Sequence, residues 1–201
     1  MAKEKSKVST PFFSFLKYWK VSPPAYRKLV IGLPLFTLFN SSDVFLILKA
    51  KQAGIDDTMV IGIYIFYNLI YALFAFPVGI LADKIGLKTV FIIGLAFFAA
   101  VYFGMALNTN LYFFFGLFFL YGIYASATEG ISKAWISNIT DQKDTATAIG
   151  TFSGLQSICT MLASSLTGLI WFNFGATAAF LTTGTVTLFV IIYFFAIPKP
   201  V

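Results

Sequence analysis

The sequence predicts an all-α integral membrane protein of six transmembrane helices, arranged as two inverted three-helix repeats. Three observations carry this expectation. Hydrophobic residues fill 59% of the 201 positions and charged residues 11%, against about 45–50% and about 25% in soluble domains. Six long apolar runs alternate with short polar clusters. The runs also fall into two triplets, each with a charged, a polar-faced and a bland member. A soluble chain of this length has too little interior for its 25 Phe, because more than half of its surface would have to be wet and polar.

Residues 1–28 form a basic tail or linker, with Lys3, Lys5, Lys7, Lys17, Lys20, Arg27 and Lys28 against a lone Glu4. No small-residue cleavage site follows a short apolar core, so the tail is not a signal peptide. From residue 11 to 20, Phe12, Phe13, Phe15, Leu16, Tyr18 and Trp19 stand beside lysines, which suits a segment lying on an anionic bilayer surface. Ser22-Pro23-Pro24 ends it. The transmembrane bundle occupies 29–197, with spans expected at 29–48, 60–81, 89–107, 111–131, 147–171 and 176–196. Each is near the roughly 20 residues that cross about 30 Å of hydrocarbon. Residues 198–201 make a short cytoplasmic tail. Barrel strands are excluded, because these runs do not alternate with period two.

Twelve of the 14 Lys and Arg fall on one side of such a bundle: the seven in the tail, then Lys84, Lys88, Lys133, Lys143 and Lys199. Lys49 and Lys51 fall on the other. Basic loops stay cytoplasmic, which puts both termini on the cytoplasmic side of a cell (inner) membrane. The net charge of +6 therefore reads as topology, with no nucleic-acid partner implied.

Asp43 and Glu129 are the ionisable groups expected within membrane depth. A carboxylate there is disfavoured by about 2.5–3.5 kcal/mol, so each should face the bundle interior or a wet cavity. Thr37, Asn40 and Asp43 recur every three residues and should line one side of the first helix. Tyr121, Tyr124 and Thr128 form a similar stripe on the fourth, bordered by Glu129. The two stripes place Asp43 nearer the outside and Glu129 nearer the cytoplasm, as an inverted repeat requires. Tyr64, Tyr67, Asn68 and Tyr71 share a face of the second span, and Ser153, Gln156, Ser157, Thr160 and Ser164 a face of the fifth. Such residues serve equally as packing or interfacial anchors, and Gly150 and Gly154 would allow close helix contact.

The chain has one cysteine, Cys159, and no histidine. An internal disulfide and the usual nitrogen and sulfur metal sites are therefore not expected, nor is a histidine general base. No cofactor is implied, and proton handling would fall to carboxylates. An enzyme is not expected, since Asp43 and Glu129 are placed at opposite depths.

Between the second and third spans stands Gly79-Ile80-Leu81-Ala82-Asp83-Lys84-Ile85-Gly86-Leu87-Lys88. It resembles the loop signature of the major facilitator superfamily, Gly-x-Leu-Ala-Asp-Arg-x-Gly-Arg-Lys. Gly79, Leu81, Ala82, Asp83, Gly86 and Lys88 agree, Lys84 keeps the charge, and Leu87 departs. Thr145 also departs, standing where an Arg-Gly pair is common. Family transporters have twelve spans, so the resemblance, over about residues 26 to 197, implies half of a major facilitator fold. The basic tail and the runs around Asn40 and Glu129 look like the carboxyl-terminal half.

The resemblance implies secondary active transport of a small-molecule solute by alternating access, with the loop steadying the outward-facing state. Asp43 and Glu129 would exchange protons or bind a cationic group. Thr37, Asn40, Tyr67, Asn68, Tyr124, Thr128 and Gln156 would complete the pathway. The implied partners are the lipid bilayer and a second six-span half, as a separate chain or a second copy. A six-span scaffold or assembly subunit, or a truncated inactive remnant, is the alternative reading. The topology has a direct test. A cysteine replacing Lys84, in a Cys159→Ser background, should react with an impermeant maleimide in inside-out vesicles and not in intact cells; labelling in intact cells would reverse the orientation.

Overall fold

The structure is a computed structural model that describes residues 14–108 and 110–197. Lys3, Lys5, Lys7 and Lys199, and with them the ends of the basic tails, lie outside the described residues. Seven helices follow in order: α1 (Ser14–Val21), α2 (Pro24–Thr37), α3 (Val44–Gln52), α4 (Asp57–Ile85), α5 (Leu87–Leu107), α6 (Leu111–Asn138) and α7 (Thr145–Ala196). There is no strand among the described residues. Four helices, α4 to α7, are long and apolar enough to cross a membrane. The longest, α7, carries 52 residues and is interrupted at Gly175, whose φ of 85° and ψ of 168° are not helical. It is thus two arms, 145–174 and 176–196.

The expected first span, 29–48, is not one helix. α2 stops at Thr37, the chain runs without helix from 38 to 43, and α3 restarts at Val44. The cause is local. Pro34 inside α2 has no N–H for the carbonyl four residues back. Asn40-Ser41-Ser42-Asp43 then offers four side chains in a row that compete with the backbone for hydrogen bonds. The Ser42 N–H leaves the helical ladder for Ser164 Oγ on α7 at 3.2 Å, and the Val44 N–H turns to Ser42 Oγ at 3.4 Å. Thr37, Asn40 and Asp43 therefore do not form a stripe on one helix.

Helix ends also outrun the apolar runs. α6 continues to Asn138, so residues 132–138, expected as loop, are helical. α4 continues to Ile85 and meets α5 through Gly86 alone. Hydropathy marks where lipid ends, and a helix can project past that plane into water. Gly86 makes the one-residue turn possible, because its φ of 95° is strained for any residue with a Cβ. At the opposite end of α4, Asp56 caps the helix by accepting from Thr58 and Met59 N–H at 3.0 Å.

The core lies where α5 and α6 pack on each other and on the second arm of α7, while α4 packs chiefly on α6. Phe98 stacks on Tyr102 at 4.2 Å, and Phe91 meets Phe194 edge-on at 5.0 Å. Lys88, at the start of α5, donates to the Phe195 carbonyl at 3.4 Å and to that of Ile197, closing the carboxyl end of α7 with a cation. Outward faces are apolar instead of polar: Phe172 on α7 is 88% exposed and Phe76 on α4 77%. That inversion suits lipid contact.

Gly150 and Gly154 have open space where a Cβ would stand. Close helix contact within the chain falls elsewhere, and it meets backbone at Gly122 on α6, where a Cβ would lie 2.8 Å from the Tyr67 carbonyl oxygen and from Ile70. Gly122→Ala should accordingly cost about 1–3 kcal/mol of unfolding stability by overpacking, and Gly150→Ala should cost nothing, as read by denaturant unfolding in detergent. Equal effects would dissolve the contrast.

Candidate functional site

The non-helical stretch between α2 and α3 opens on a cavity of about 320 Å³. Its wall holds Thr37, Asn40, Ser41, Ser42 and Asp43 from the break, Tyr67, Asn68 and Tyr71 from α4, Tyr121, Tyr124, Ala125 and Glu129 from α6, and Gln156 and Thr160 from α7. A second cavity of about 300 Å³ is bounded by Leu33, Phe36, Phe91, Thr128, Ser132, Lys133 and Phe152. Thr37, Asn40, Tyr124, Glu129 and Gln156 border both. With five lining residues in common, the two adjoin as neighbouring lobes of one polar region, here called the passage.

Asp43 is the electrostatic centre of the first lobe. Its residue stands at the N-cap of α3, yet its side chain makes no capping bond there. Tyr67 Oη donates to Oδ2 at 2.5 Å and Tyr121 Oη to Oδ1 at 2.6 Å. These are short charge-assisted bonds, and they tie the break to both α4 and α6. Both rings sit against each other, centroids 5.4 Å apart. At the junction of the lobes, Asn40 Nδ2 donates to Tyr124 Oη at 2.9 Å.

Three other polar side chains in this region are satisfied within their own helices. Thr37 Oγ1 donates to the Leu33 carbonyl at 3.0 Å, Thr128 Oγ1 to that of Tyr124 at 2.9 Å, and Asn68 Nδ2 to that of Tyr64 at 2.8 Å. Among the described residues, Asn40 Oδ1, Ser41 Oγ and Tyr102 Oη are buried without a partner in good hydrogen-bond geometry, although the Tyr102 hydroxyl lies within reach of Ser41. A buried polar group left unpaired costs about 1–3 kcal/mol, so a cluster of them beside a cavity is a feature to explain.

The structure thus gathers Thr37, Asn40, Asp43, Tyr67, Asn68, Tyr124, Glu129 and Gln156 around one lobe, with Thr128 in the other. Asp43 and Glu129 share a lobe, though the sequence places them at opposite depths. Ser41 and Ser42 escape sequence reasoning, because helical spacing gives them no role; the run of four small polar residues was the available signal. The Gly79–Lys88 segment lies apart from the cavity lining. There Asp83 and Lys84 are exposed on the last turn of α4, while Lys88 closes α7.

Among the described residues no group of three or more His, Cys, Asp or Glu is placed to hold a metal ion. The ion pairs found among them, Lys51–Asp57 at 2.7 Å and Lys143–Asp141 at 4.0 Å, are at the surface and do not involve either cavity carboxylate.

Comparison with known proteins agrees with this architecture. The family model of the Major Facilitator Superfamily matches residues 22–201. An uncharacterized MFS-type transporter of Methanocaldococcus jannaschii is 34% identical over 175 residues, which cover 84% of this chain and 44% of that relative. The chain thus spans less than half the length of the curated relative it matches.

The hydrogen-bond pattern separates the network from its self-satisfied neighbours. Tyr121→Phe strips a donor from Asp43 and should cost about 1–3 kcal/mol of unfolding stability, whereas Thr128→Val should change it by less than about 0.5 kcal/mol. Unfolding curves in detergent that show Thr128→Val to be the more damaging would reject this reading of the site.

Proposed function

The chain belongs to the major facilitator superfamily, and on that premise we propose that it is the carboxyl-terminal half of a twelve-span secondary transporter that moves a small solute by alternating access. Membership makes it a multi-pass membrane transport protein. The finer reading takes α2 and α3 as one broken crossing, α4, α5 and α6 as one each, and the two arms of α7 as the last two. Both termini then face the cytoplasm, in keeping with the basic residues. The polar passage opens toward a second six-span half, supplied by another chain, another copy or the rest of a longer protein.

The observation that carries this reading is the Asp43 carboxylate held by tyrosines from two different helices beside a break in a third. Broken helices at a midplane site are a recurring device of transporters. An ionised carboxylate accepts from Tyr67 and Tyr121 at once. A proton on either oxygen turns that atom into a donor, so the bond to its tyrosine reverses direction and both bonds lose the carboxylate charge that strengthens them. Protonation of Asp43 therefore loosens α4 or α6 from the break, which is how uptake of a proton would be coupled to rearrangement. Glu129, exposed toward the passage, would be the second exchange site. Asp83, exposed and outside any ion pair found among the described residues, would find its partner in another conformation.

Alternating access can be tested without knowing the solute. In a Cys159→Ser background, a cysteine replacing Gln156, which borders both lobes, should react with an impermeant maleimide both in intact cells and in inside-out vesicles. Reaction from one face only would refute the mechanism.

A further inference from the structure

The same passage carries information about its cargo. We propose that the lobe around Asp43 binds a small organic ammonium ion that bears N–H donors, a protonated primary or secondary amine. The assignment of this ion as cargo rests on the transport reading above; its binding rests on the lobe alone.

Four features converge. Asp43 and Glu129 both line the lobe, and no Lys or Arg does. Lys133 borders only the neighbouring lobe, and it forms no ion pair with Glu129 among those found in the described residues. An anionic solute would be repelled from such a wall. Next, Asn40 Oδ1 is buried there without a partner among the described residues, and Ser41 Oγ, buried as well, has only the Tyr102 hydroxyl within reach. Asn40 Oδ1, which can only accept, asks for a donor from outside the protein. The four tyrosines that line the lobe, at 67, 71, 121 and 124, supply aromatic surface of the kind that attracts cations. Finally, about 320 Å³ is at the small end of ligand sites.

Of four classes compared, one meets all four. A bare sodium ion would satisfy the oxygens but leave the aromatic wall and most of the volume unused. A quaternary ammonium would meet the charge and the rings and give the unpaired Asn40 oxygen nothing. A neutral sugar would supply hydroxyl donors and leave two carboxylates uncompensated. A protonated amine on a short carbon chain brings the charge, the N–H donors and apolar surface together.

The test is binding to the full chain in nanodiscs, followed by tryptophan fluorescence and by the thermal unfolding midpoint. Butylammonium, tetramethylammonium, butyrate and sodium are the probes. Butylammonium should bind saturably and raise the midpoint, with tetramethylammonium weaker and the other two inert. Asp43→Asn should weaken butylammonium binding by about tenfold or more. Ser41→Ala should weaken butylammonium several-fold and leave tetramethylammonium unchanged, a difference that a merely structural role of Ser41 would not produce. The proposal is overturned if butylammonium fails to saturate, if butyrate, sodium or tetramethylammonium equals it, or if Asp43→Asn binds it as tightly as the unaltered chain. Two-sided labelling at position 156 without butylammonium binding sinks the cargo and spares alternating access. One-sided labelling with binding intact does the reverse.

Discussion

Backbone that leaves a helix in an apolar setting must find its hydrogen bonds elsewhere or forfeit them, and the stretch from 38 to 43 imposes that demand on the whole fold. Around it the other helices supply what was given up. Ser164 on α7 receives the Ser42 N–H, Tyr67 on α4 and Tyr121 on α6 converge on Asp43, and Tyr124 receives Asn40. Rings brace the flanks: Phe36 packs edge-on against Phe98 at 5.0 Å, and Phe45 lies 5.6 Å from Trp171. A polar passage exists because the break needs polar neighbours, and the neighbours need a reason to be polar in an otherwise greasy bundle.

Much of the architecture was legible before the structure. α4, α5 and α6 and both arms of α7 follow directly from runs of apolar residues, because lipid tolerates little else over that length. Asp43 and Glu129 stood out for the same reason in reverse. Hydropathy could not show the interruption of the first run, since an average over some twenty residues absorbs Asn-Ser-Ser-Asp without a trace. The spacing of Thr37, Asn40 and Asp43 suggested one helical face. In the folded chain Asn40 and Asp43 lie beyond the end of α2 and reach the same cavity by a turn. Glycine spacing is a weak guide in another way: 150 and 154 have open space beside them within this chain, while Gly122, which has no such spacing, faces the Tyr67 carbonyl and Ile70 at close range.

The division of labour among helices also has a physical basis. α5 buries large rings such as Phe91, Phe98 and Tyr102 almost completely and, with α6 and the far arm of α7, makes a rigid centre. α4 and the near arm of α7 keep large apolar residues on their outer sides and polar ones toward the passage.

The clamp of Lys88 on the last carbonyls of α7 gives the loop signature a mechanical meaning. Gly86 is a joint of one residue, too short to act as a slack tether, so displacement of the foot of α4 is passed at once to α5. Through the ammonium group of Lys88 it also reaches the end of the chain's last helix. The foot of α4, the start of α5 and the end of α7 are thus tied together at one corner of the bundle, like a hinge pin shared by three doors.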